Sequence, residues 1–174
     1  MTGQPVCIAD YDPRWPATFE ELRGLIAAAL GALALRIEHV GRTAVPGLAA
    51  KPIIDLDVVI GSRADLPAVI AALHPMGYRP QGDLGVAGRE AFNNLSGAPP
   101  HHLYVCAADN RELARHLAFR DFLRTHPDTA RAYGELKRSL ASQFRNDRNA
   151  YTEAKTAFIE QVLAASAADD CPPS

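Results

Sequence analysis

The segment HVGRTAVPGLAAKPIIDLDVVI, residues 39–60, places two carboxylates within the most apolar strand that the chain predicts. Side chains alternate between the two faces of a β-strand, so Asp55 and Asp57 share one face while their apolar neighbours share the other. Two carboxylates about 7 Å apart along a strand repel each other unless a cation lies between them. Mg²⁺ suits such a position, because it often combines one or two carboxylates with substrate phosphates. We therefore expect Asp55 and Asp57 to be catalytic residues and metal ligands; the alternative is a half-exposed strand with two solvated acids.

The residues before this strand predict a loop that carries positive charge. Gly41 ends a short strand predicted at residues 36–40, and the Pro and Gly residues of segment 42–52 exclude regular structure. Arg42 and Lys51 stand near the two ends of this loop. An anionic ligand that approaches the acids therefore meets a guanidinium and an ammonium group, both of which bind phosphates and carboxylates.

The rest of the chain predicts strands and helices in its first two-thirds and helices alone in its last third. Helical periodicity begins near residue 13 and again near residue 65, and three further helical patterns fill residues 109–165. The other strand candidates are residues 36–40, the surroundings of Tyr78, residues 91–95 and residues 102–107. This order predicts an α+β fold: a mixed sheet with residues 53–60 at its centre, flanking helices and a helical C-terminal layer.

Composition indicates one folded domain over residues 1–165, followed by a flexible tail over residues 166–174. Hydrophobic residues make up 48% of the 174-residue chain and charged residues 22%, and the net charge of −2 does not attract the chain to nucleic acid or a membrane surface. The 3 cysteines are far apart and odd in number, which argues against a disulfide framework. The longest apolar stretch falls short of the about 20 residues that span a bilayer, and no secretory signal pattern is present. We expect a cytoplasmic protein; the sequence does not predict its oligomeric state.

A second strand is expected to face the same pocket as the acids. His102 and Tyr104 are two residues apart, so they share one face of the strand predicted at residues 102–107. If that strand lies beside the acidic strand, His102 can act as a metal ligand or as a general base. We therefore count His102 and Tyr104 as catalytic candidates. We expect His116 to be structural or exposed.

Together these segments resemble the GrpB family, a branch of the nucleotidyltransferase superfamily typified by DNA polymerase beta. The resemblance covers residues 8–162 and is carried by HVG at 39–41, Thr43, VPGL at 45–48, KPIIDLD at 51–57, HHLYV at 101–105, HLAFRDFL at 116–123 and YTEAK at 151–155. It implies a nucleotidyltransferase-like mixed sheet, a turn at Gly41 that holds nucleotide phosphates, and metal ions on Asp55 and Asp57. It also implies Mg²⁺ or Mn²⁺ as cofactor and a nucleoside triphosphate as possible co-substrate.

The chain departs from the family pattern at two positions. Arg42 stands where the pattern has Ser, and Tyr104 stands where the family usually shows the second His of His-x-His. A polymerase-like site uses three carboxylates to hold two metal ions, and the sequence identifies two. Arg42 therefore has two interpretations: it holds an anionic group of the ligand, or it pairs with Asp55 or Asp57 and closes the metal site.

The residues expected to bind the ligand come from the glycine turn, its loop and the helical half. They are His39, Gly41, Arg42, Thr43, Lys51, Arg120 and Lys155. His39 either contacts the ligand or braces the loop. Arg120 and Lys155 lie in family-like segments and rank above Lys137, Arg148 and Tyr151, any of which could face a phosphate.

Three functions remain open from the sequence. The first is a nucleotidyltransferase-like enzyme that activates or ligates a small molecule with a nucleotide and a divalent metal ion. The second is a repurposed pocket that binds a small anionic molecule or performs metal-independent acid–base chemistry on it with His102, Tyr104 and an Asp. The third is a binding or regulatory module without turnover. A small-molecule partner is expected in each, and nucleic acid is not, because no basic stripe interleaved with aromatic residues occurs.

Overall fold

The structure, a computed structural model, describes residues 8–93, 95–144 and 147–169, without the side chain of Arg148. Its strands are β1 Arg36–Val40, β2 Ile54–Ile60, β3 Arg89–Phe92 and β4 His101–Ala107. Its α-helices are α1 Trp15–Leu30, α2 Leu66–Leu73, α3 Arg111–Thr125, α4 Pro127–Gln143 and α5 Arg148–Asp169. The succession of a mixed sheet with helices and then three helices is the α+β order that the sequence predicts.

The four strands form one mixed sheet in the order β1-β2-β4-β3. β1 runs antiparallel to β2, β2 runs parallel to β4, and β3 runs antiparallel to β4. The prediction that the acidic strand is central is confirmed, because β2 has a hydrogen-bonded neighbour on each side. The parallel register sets Asp55 opposite His102 and Asp57 opposite Tyr104.

The strand candidate around Tyr78 does not form a strand. Gly77, just before it, has φ +100°, which ends the preceding helical turn, and Pro80 makes only an isolated bridge to Phe92. Tyr78 instead packs in the core with its hydroxyl 2.7 Å from Nε2 of His101.

One face of the sheet packs against α1 and α2. The apolar residues of β2 that alternate with the acids, Leu56 and Val58 among them, are buried there with Ile26 of α1 and Leu73 of α2. Burying a side chain of this size stabilises the fold by about 1.5–3 kcal/mol. The direction in which the acids face follows from this packing, since the alternating residues must point to the opposite side.

The other face lies toward the C-terminal helices. Leu48 of the loop between β1 and β2 packs with Leu123 of α3, Tyr133 of α4 and Val162 of α5, so the three helices are joined to the loop by one apolar cluster. α3 begins at the side chain of Asn110, which accepts a hydrogen bond from the backbone N–H of Leu113. The gap between the sheet and this helical layer contains the acids.

The last helix is longer than the sequence suggested. α5 continues to Asp169, into the segment 166–174 that was expected to be a tail, and residues 170–174 lie outside the described residues. In the described part of the chain, no helix combines the length and the apolar character that crossing a membrane requires.

Candidate functional site

A cavity of about 620 Å³ lies between the acidic face of the sheet and helices α3, α4 and α5. This volume falls in the range of small-molecule sites. Eight of the residues expected from the sequence line it: Gly41, Arg42, Thr43, Lys51, Asp55, His102, Tyr104 and Lys155. Side chains that are far apart in the chain therefore meet at one site.

Asp55 and His102 form a hydrogen-bonded pair across the parallel strands. Nδ1 of His102 lies 2.8 Å from Oδ1 of Asp55. An ionised carboxylate only accepts hydrogen bonds, so the imidazole donates from Nδ1. In neutral His102 the Nε2 atom is then an acceptor, as a general base requires.

Asp57 forms a similar pair with His116, which comes from α3. Nδ1 of His116 lies 2.8 Å from Oδ2 of Asp57. Asp57 is 2% exposed and does not line the cavity, whereas His116 does. Burial alone would lower the pKa of His116, but the hydrogen bond and charge of Asp57, together with the charges of Glu112 and Asp55, outweigh burial and raise the pKa. The alternative of two solvated acids does not apply to Asp57, which is buried.

His116 is a site residue that the sequence reasoning missed. It was expected to be structural or exposed, yet it lines the cavity and holds a carboxylate that precedes it by 59 positions. Helical periodicity around it gives no sign of this contact. The available signal was its place at the start of the family-like segment HLAFRDFL, residues 116–123.

Tyr104 lies beside Asp57 in the register and contributes its phenol to the cavity. The guanidinium carbon of Arg89 lies 4.2 Å from the centre of the Tyr104 ring, a cation–π contact. Burial, together with the nearby Asp55 carboxylate, raises the pKa of Tyr104. The phenol therefore stays protonated at neutral pH and can donate a hydrogen bond.

Basic side chains from α4 and α5 form a further part of the lining, the cationic wall. Lys137 of α4 is 1% exposed and donates a hydrogen bond from Nζ to the backbone carbonyl of Ala49. Lys155 of α5 is 6% exposed, with Nζ 4.1 Å from the centre of the Tyr151 ring. Lys137 and Tyr151 were ranked below Lys155 in the sequence, but all three line the cavity.

Arg42 belongs to this cationic wall. Its Nε donates a hydrogen bond to the hydroxyl of Tyr133 over 3.4 Å. Within the ranges that the structure describes, no carboxylate is within ion-pair distance of Arg42. In the structure Arg42 therefore makes no ion pair with Asp55 or Asp57, which contradicts the second interpretation of this residue.

Gly41 explains how the loop approaches the acid so closely. Its φ is +71°, in the left-handed region that favours glycine, and a Cβ at this position would collide with the carboxylate of Asp55. The absence of a side chain at Gly41 therefore lets the turn pack directly on Asp55.

His39 and Arg120 do not line the cavity, so the structure gives them a supporting position in place of the expected ligand contact. His39 stacks on Phe19, with ring centres 4.5 Å apart, and donates from Nε2 to Thr43 Oγ1 over 2.9 Å, while Thr43 donates to a backbone carbonyl. Burial and the charge of Arg124 lower the pKa of His39 to about 4.

Arg120 donates to the Glu38 carboxylate and to the His39 carbonyl, which ties α3 to β1.

The carboxylates available for metal ions are few. Among the described residues, no group of three or more His, Cys, Asp or Glu side chains could hold a metal ion. On the neighbouring strand, β4 sets His102 and Tyr104 opposite the two acids.

A central Asp-x-Asp strand behind a glycine turn, under a helical layer, is a nucleotidyltransferase-like fold. The solved GLD-2/RNP-8 complex has a chain of similar fold, with a TM-score of 0.57 and 14% identity, over 90% of this chain and 51% of that chain. The chain belongs to the GrpB family, since the family model described as GrpB protein matches residues 5–165.

Relatives of known sequence and structure agree with this assignment. The UPF0157 protein PA4798 of Pseudomonas aeruginosa is 40% identical over 158 residues, which are 87% of this chain and 64% of the relative. The UPF0157 protein YqkA of Bacillus subtilis is 34% identical over 150 residues, 86% of this chain and 44% of the relative. The chain therefore spans only part of the length of these two relatives. The crystal structure of conserved protein GrpB from Enterococcus faecalis is similar with a TM-score of 0.83 and 34% identity, over 94% of this chain and 98% of that chain.

Proposed function

We propose that the cavity binds a nucleotide and that the chain is a transferase or ligase that uses it to activate a small molecule, with one divalent metal ion on Asp55 and Asp57. The observation that supports this function is the opposition of charge within one cavity. The cationic wall of Arg42, Lys137 and Lys155 lines the same cavity as Asp55. A nucleotide has this polarity, since its phosphates need cations and its bound metal ion needs carboxylates.

We assign one metal ion, and not two, to Asp55 and Asp57. Mg²⁺ or Mn²⁺ held by two carboxylates completes its coordination with phosphate oxygens and water. A two-metal site needs further carboxylates, and the described part of the chain has no cluster that supplies them. When bound, the ion would neutralise phosphate charge at the reacting end of the nucleotide. His116 contacts Oδ2 of Asp57, so Oδ1 is the atom of Asp57 that we assign to the ion.

The chain's own side chains have separate roles in this proposal. The cationic wall holds the phosphates and neutralises their charge. His102, oriented by Asp55 through Nδ1, accepts a proton at Nε2 from the attacking group of the small molecule. Tyr104, protonated at neutral pH, donates a hydrogen bond to the bound ligand.

A second function is favoured by one observation, the two carboxylate–histidine pairs. Asp55 and Asp57 each already accept a hydrogen bond from a histidine Nδ1. In this alternative no metal ion binds, and the pairs perform acid–base chemistry on an anionic small molecule, or hold it without turnover. Such a carboxylate sets the tautomer of its histidine and stabilises the protonated ring.

Calorimetry separates the two functions. ATP is titrated with Mg²⁺, with Mn²⁺ and with EDTA into the wild type, into the double variant Asp55→Asn/Asp57→Asn, and into the exposed control Asp109→Asn. We expect the metal ion to strengthen ATP binding to the wild type and the control, and this gain to fall at least tenfold in the double variant, because a hard cation needs the lost negative charge.

An equal metal-dependent gain in the double variant would refute the metal site. ATP binding that is the same with metal ion and with EDTA in every variant would support the metal-independent function instead. Thermal unfolding of each variant establishes that it is folded.

The proposal also covers the partner and the location. We place the small-molecule acceptor in the same cavity, and we place the chain in the cytoplasm, where nucleoside triphosphates are abundant. Fractionation of cells that carry a tagged copy tests the location.

A further inference from the structure

We propose that Arg89 and Tyr104 form a subsite for the carboxylate of the small-molecule acceptor, which is then a short carboxylic acid that carries a hydroxyl or amino group. The role of this molecule as an acceptor rests on the proposed function, whereas the binding of its carboxylate requires neither a nucleotide nor a metal ion. Arg89 lines the cavity from β3, and nothing in the sequence pattern indicated it.

The register of β3 with β4 turns Arg89 toward the acidic face of the sheet. Arg89 lies opposite Cys106, and Ala91 lies opposite Tyr104. Residues directly opposite each other in antiparallel strands share a face, and so do residues two apart on one strand. Arg89 and Tyr104 therefore project from the same face of neighbouring strands into the cavity.

The same register separates Arg89 from the glycine turn along the strands. Val40, the last residue before that turn, lies opposite Asp55, and Asp55 lies opposite His102. The row that contains Arg89 is four residues further along β4, about 13 Å away. The cavity therefore has basic groups at two separate places, and the carboxylate of Asp55 belongs to the end with the turn.

Two contacts hold the guanidinium of Arg89 in place. Its central carbon lies 4.2 Å from the centre of the Tyr104 ring, and its Nε donates a hydrogen bond to the backbone carbonyl of Asp83 over 3.1 Å. The contact with Asp83 uses the Nε edge of the planar group. The edge formed by the two terminal nitrogens remains, and across the described ranges it has no hydrogen-bond partner and no carboxylate within ion-pair distance.

The acids that are close to Arg89 in the sequence do not neutralise it. Glu90 points to the opposite face of β3, and its carboxylate accepts a hydrogen bond from the backbone N–H of Gly82 over 2.6 Å. The carboxylate of Asp83 accepts from the backbone N–H of Gly85 over 2.9 Å. The positive charge of Arg89 therefore faces the occupant of the cavity.

Tyr104 supplies a second donor beside this charge. Its side chain is half-buried, and its hydroxyl has no hydrogen-bond partner in the part of the chain that the structure describes. A carboxylate accepts two parallel hydrogen bonds from the end of a guanidinium and has a lone pair left for a phenol. The stacked pair of Arg89 and Tyr104 thus offers the donors that one carboxylate accepts.

The charge of the subsite favours a carboxylate over a phosphate. Arg89 brings one positive charge and Tyr104 brings none, which matches a monoanion, whereas a phosphate monoester is close to doubly charged at neutral pH. The rings of His102 and Tyr104 are 6.1 Å apart. A short molecule whose carboxylate lies at Arg89 can therefore place a hydroxyl or amino group at His102, the proton acceptor of the proposed function.

The test titrates lactate and alanine into the wild type in EDTA, with the amide NMR signals of β3 and β4 as the readout. Lactate carries a hydroxyl group beside its carboxylate and alanine an amino group. Propylene glycol, which has lactate's skeleton with an alcohol in place of the carboxylate, is the matched control ligand. We expect saturable shifts with lactate or alanine and none with propylene glycol, because the subsite recognises the carboxylate.

Three variants identify the residues responsible. Arg89→Gln should weaken binding of the acid at least tenfold, and Tyr104→Phe should weaken it about two- to tenfold, the values expected for a charged and a neutral hydrogen bond. Arg23→Gln, a half-exposed arginine of α1, should leave it unchanged. The amide spectra show whether each variant is folded; if Arg89→Gln is not, Tyr104→Phe and the comparison with propylene glycol decide.

Several results would overturn the subsite. These are no saturable binding of either acid to the wild type, equal binding of propylene glycol, and unchanged affinity in both Arg89→Gln and Tyr104→Phe. Shifts that depend on Arg89 with inorganic phosphate, but not with either acid, would overturn the assignment to a carboxylate.

Failure of this inference and failure of the proposed function give different results. Asp55→Asn/Asp57→Asn should bind the acid at least as tightly as the wild type, since neither carboxylate holds it. Binding of the acid at Arg89 without a metal-dependent gain in ATP affinity would refute the metal-dependent transferase alone. A metal-dependent gain in ATP affinity without binding of the acid would refute the carboxylate subsite alone.

Discussion

Arg42 puts a positive charge directly after the glycine turn. Its guanidinium lines the cavity and donates to the hydroxyl of Tyr133. It makes no ion pair with the two acids in the described part of the chain. Its charge therefore faces whatever occupies the cavity, and this leads to a direct test at the residue scale.

We predict that Arg42→Ser weakens the binding of inorganic triphosphate by about 1.5–3 kcal/mol, the value of a hydrogen bond to a charged group. Calorimetry on the wild type, on Arg42→Ser and on the exposed control Arg63→Ser measures the change. Tighter binding of ATP with Mg²⁺ by Arg42→Ser would show instead that Arg42 fills the space that a triphosphate needs. No change in either affinity would mean that Arg42 does not take part.

At the scale of elements, the turn between β1 and β2 packs directly against the acidic strand. Gly41 adopts a positive φ directly against the Asp55 carboxylate, and Thr43 fixes the turn through His39 and the carbonyl of Ile53. Gly47 in the same loop has a similar φ, +77°, but an added Cβ would meet nothing within 4 Å. Alanine substitutions at the two glycines therefore share the free-energy cost of the left-handed backbone, and only the one at Gly41 adds a steric contact.

We predict that Gly41→Ala lowers the free energy of unfolding by about 1–3 kcal/mol more than Gly47→Ala does. Both variants incur the cost of a left-handed backbone with a side chain, about 1–2 kcal/mol, but only Gly41→Ala also forces the Asp55 carboxylate to move. Urea unfolding of the two variants and the wild type measures the difference. Equal losses in both would show that the close contact at Gly41 carries no stability.

At the scale of the whole molecule, the cavity lies where the sheet and the helical layer meet. The loop after β1, the strands β2 and β4, and helices α3, α4 and α5 all contribute lining residues. α3 and α5 are also tied by the ion pair of Arg115 with Glu160, 2.6 Å long. A ligand in the cavity therefore contacts both layers at once.

We predict that triphosphate slows amide hydrogen exchange in α4, α5 and residues 41–51 more than in α2, which packs on the other face of the sheet. Ligand at about 100 times its dissociation constant adds about 2.7 kcal/mol to stability, and the extra protection should concentrate where the ligand contacts the chain. Exchange measured by mass spectrometry with and without ligand gives the comparison. Protection that is as strong in α2 as in α5 would place the ligand elsewhere.

Much of the fold and of the floor of the site could be predicted from the sequence. The alternation of β2 places the two acids on one face, and the two-residue spacing on β4 places His102 and Tyr104 on one face. An apolar run on both faces of β2 predicts a central strand, which the sheet order confirms. These features are local, since periodicity in a short segment determines which side chains share a face.

Only the tertiary structure decided which side chains of the C-terminal helices lie near the acidic face of the sheet. The contact of His116 with Asp57 and the burial of Lys137 join residues that lie far apart in the sequence, and they depend on how the helices rotate as they dock. A lysine on an amphipathic helix is normally expected at the surface, so no periodic pattern predicts one that is 1% exposed. The same docking lets Arg120 of α3 donate to Glu38 and to the His39 carbonyl of β1, away from the cavity. The sequence alone therefore determined the carboxylate floor, and the packing of α3, α4 and α5 decided the cationic wall, because only long-range apolar contacts set the rotation of each helix.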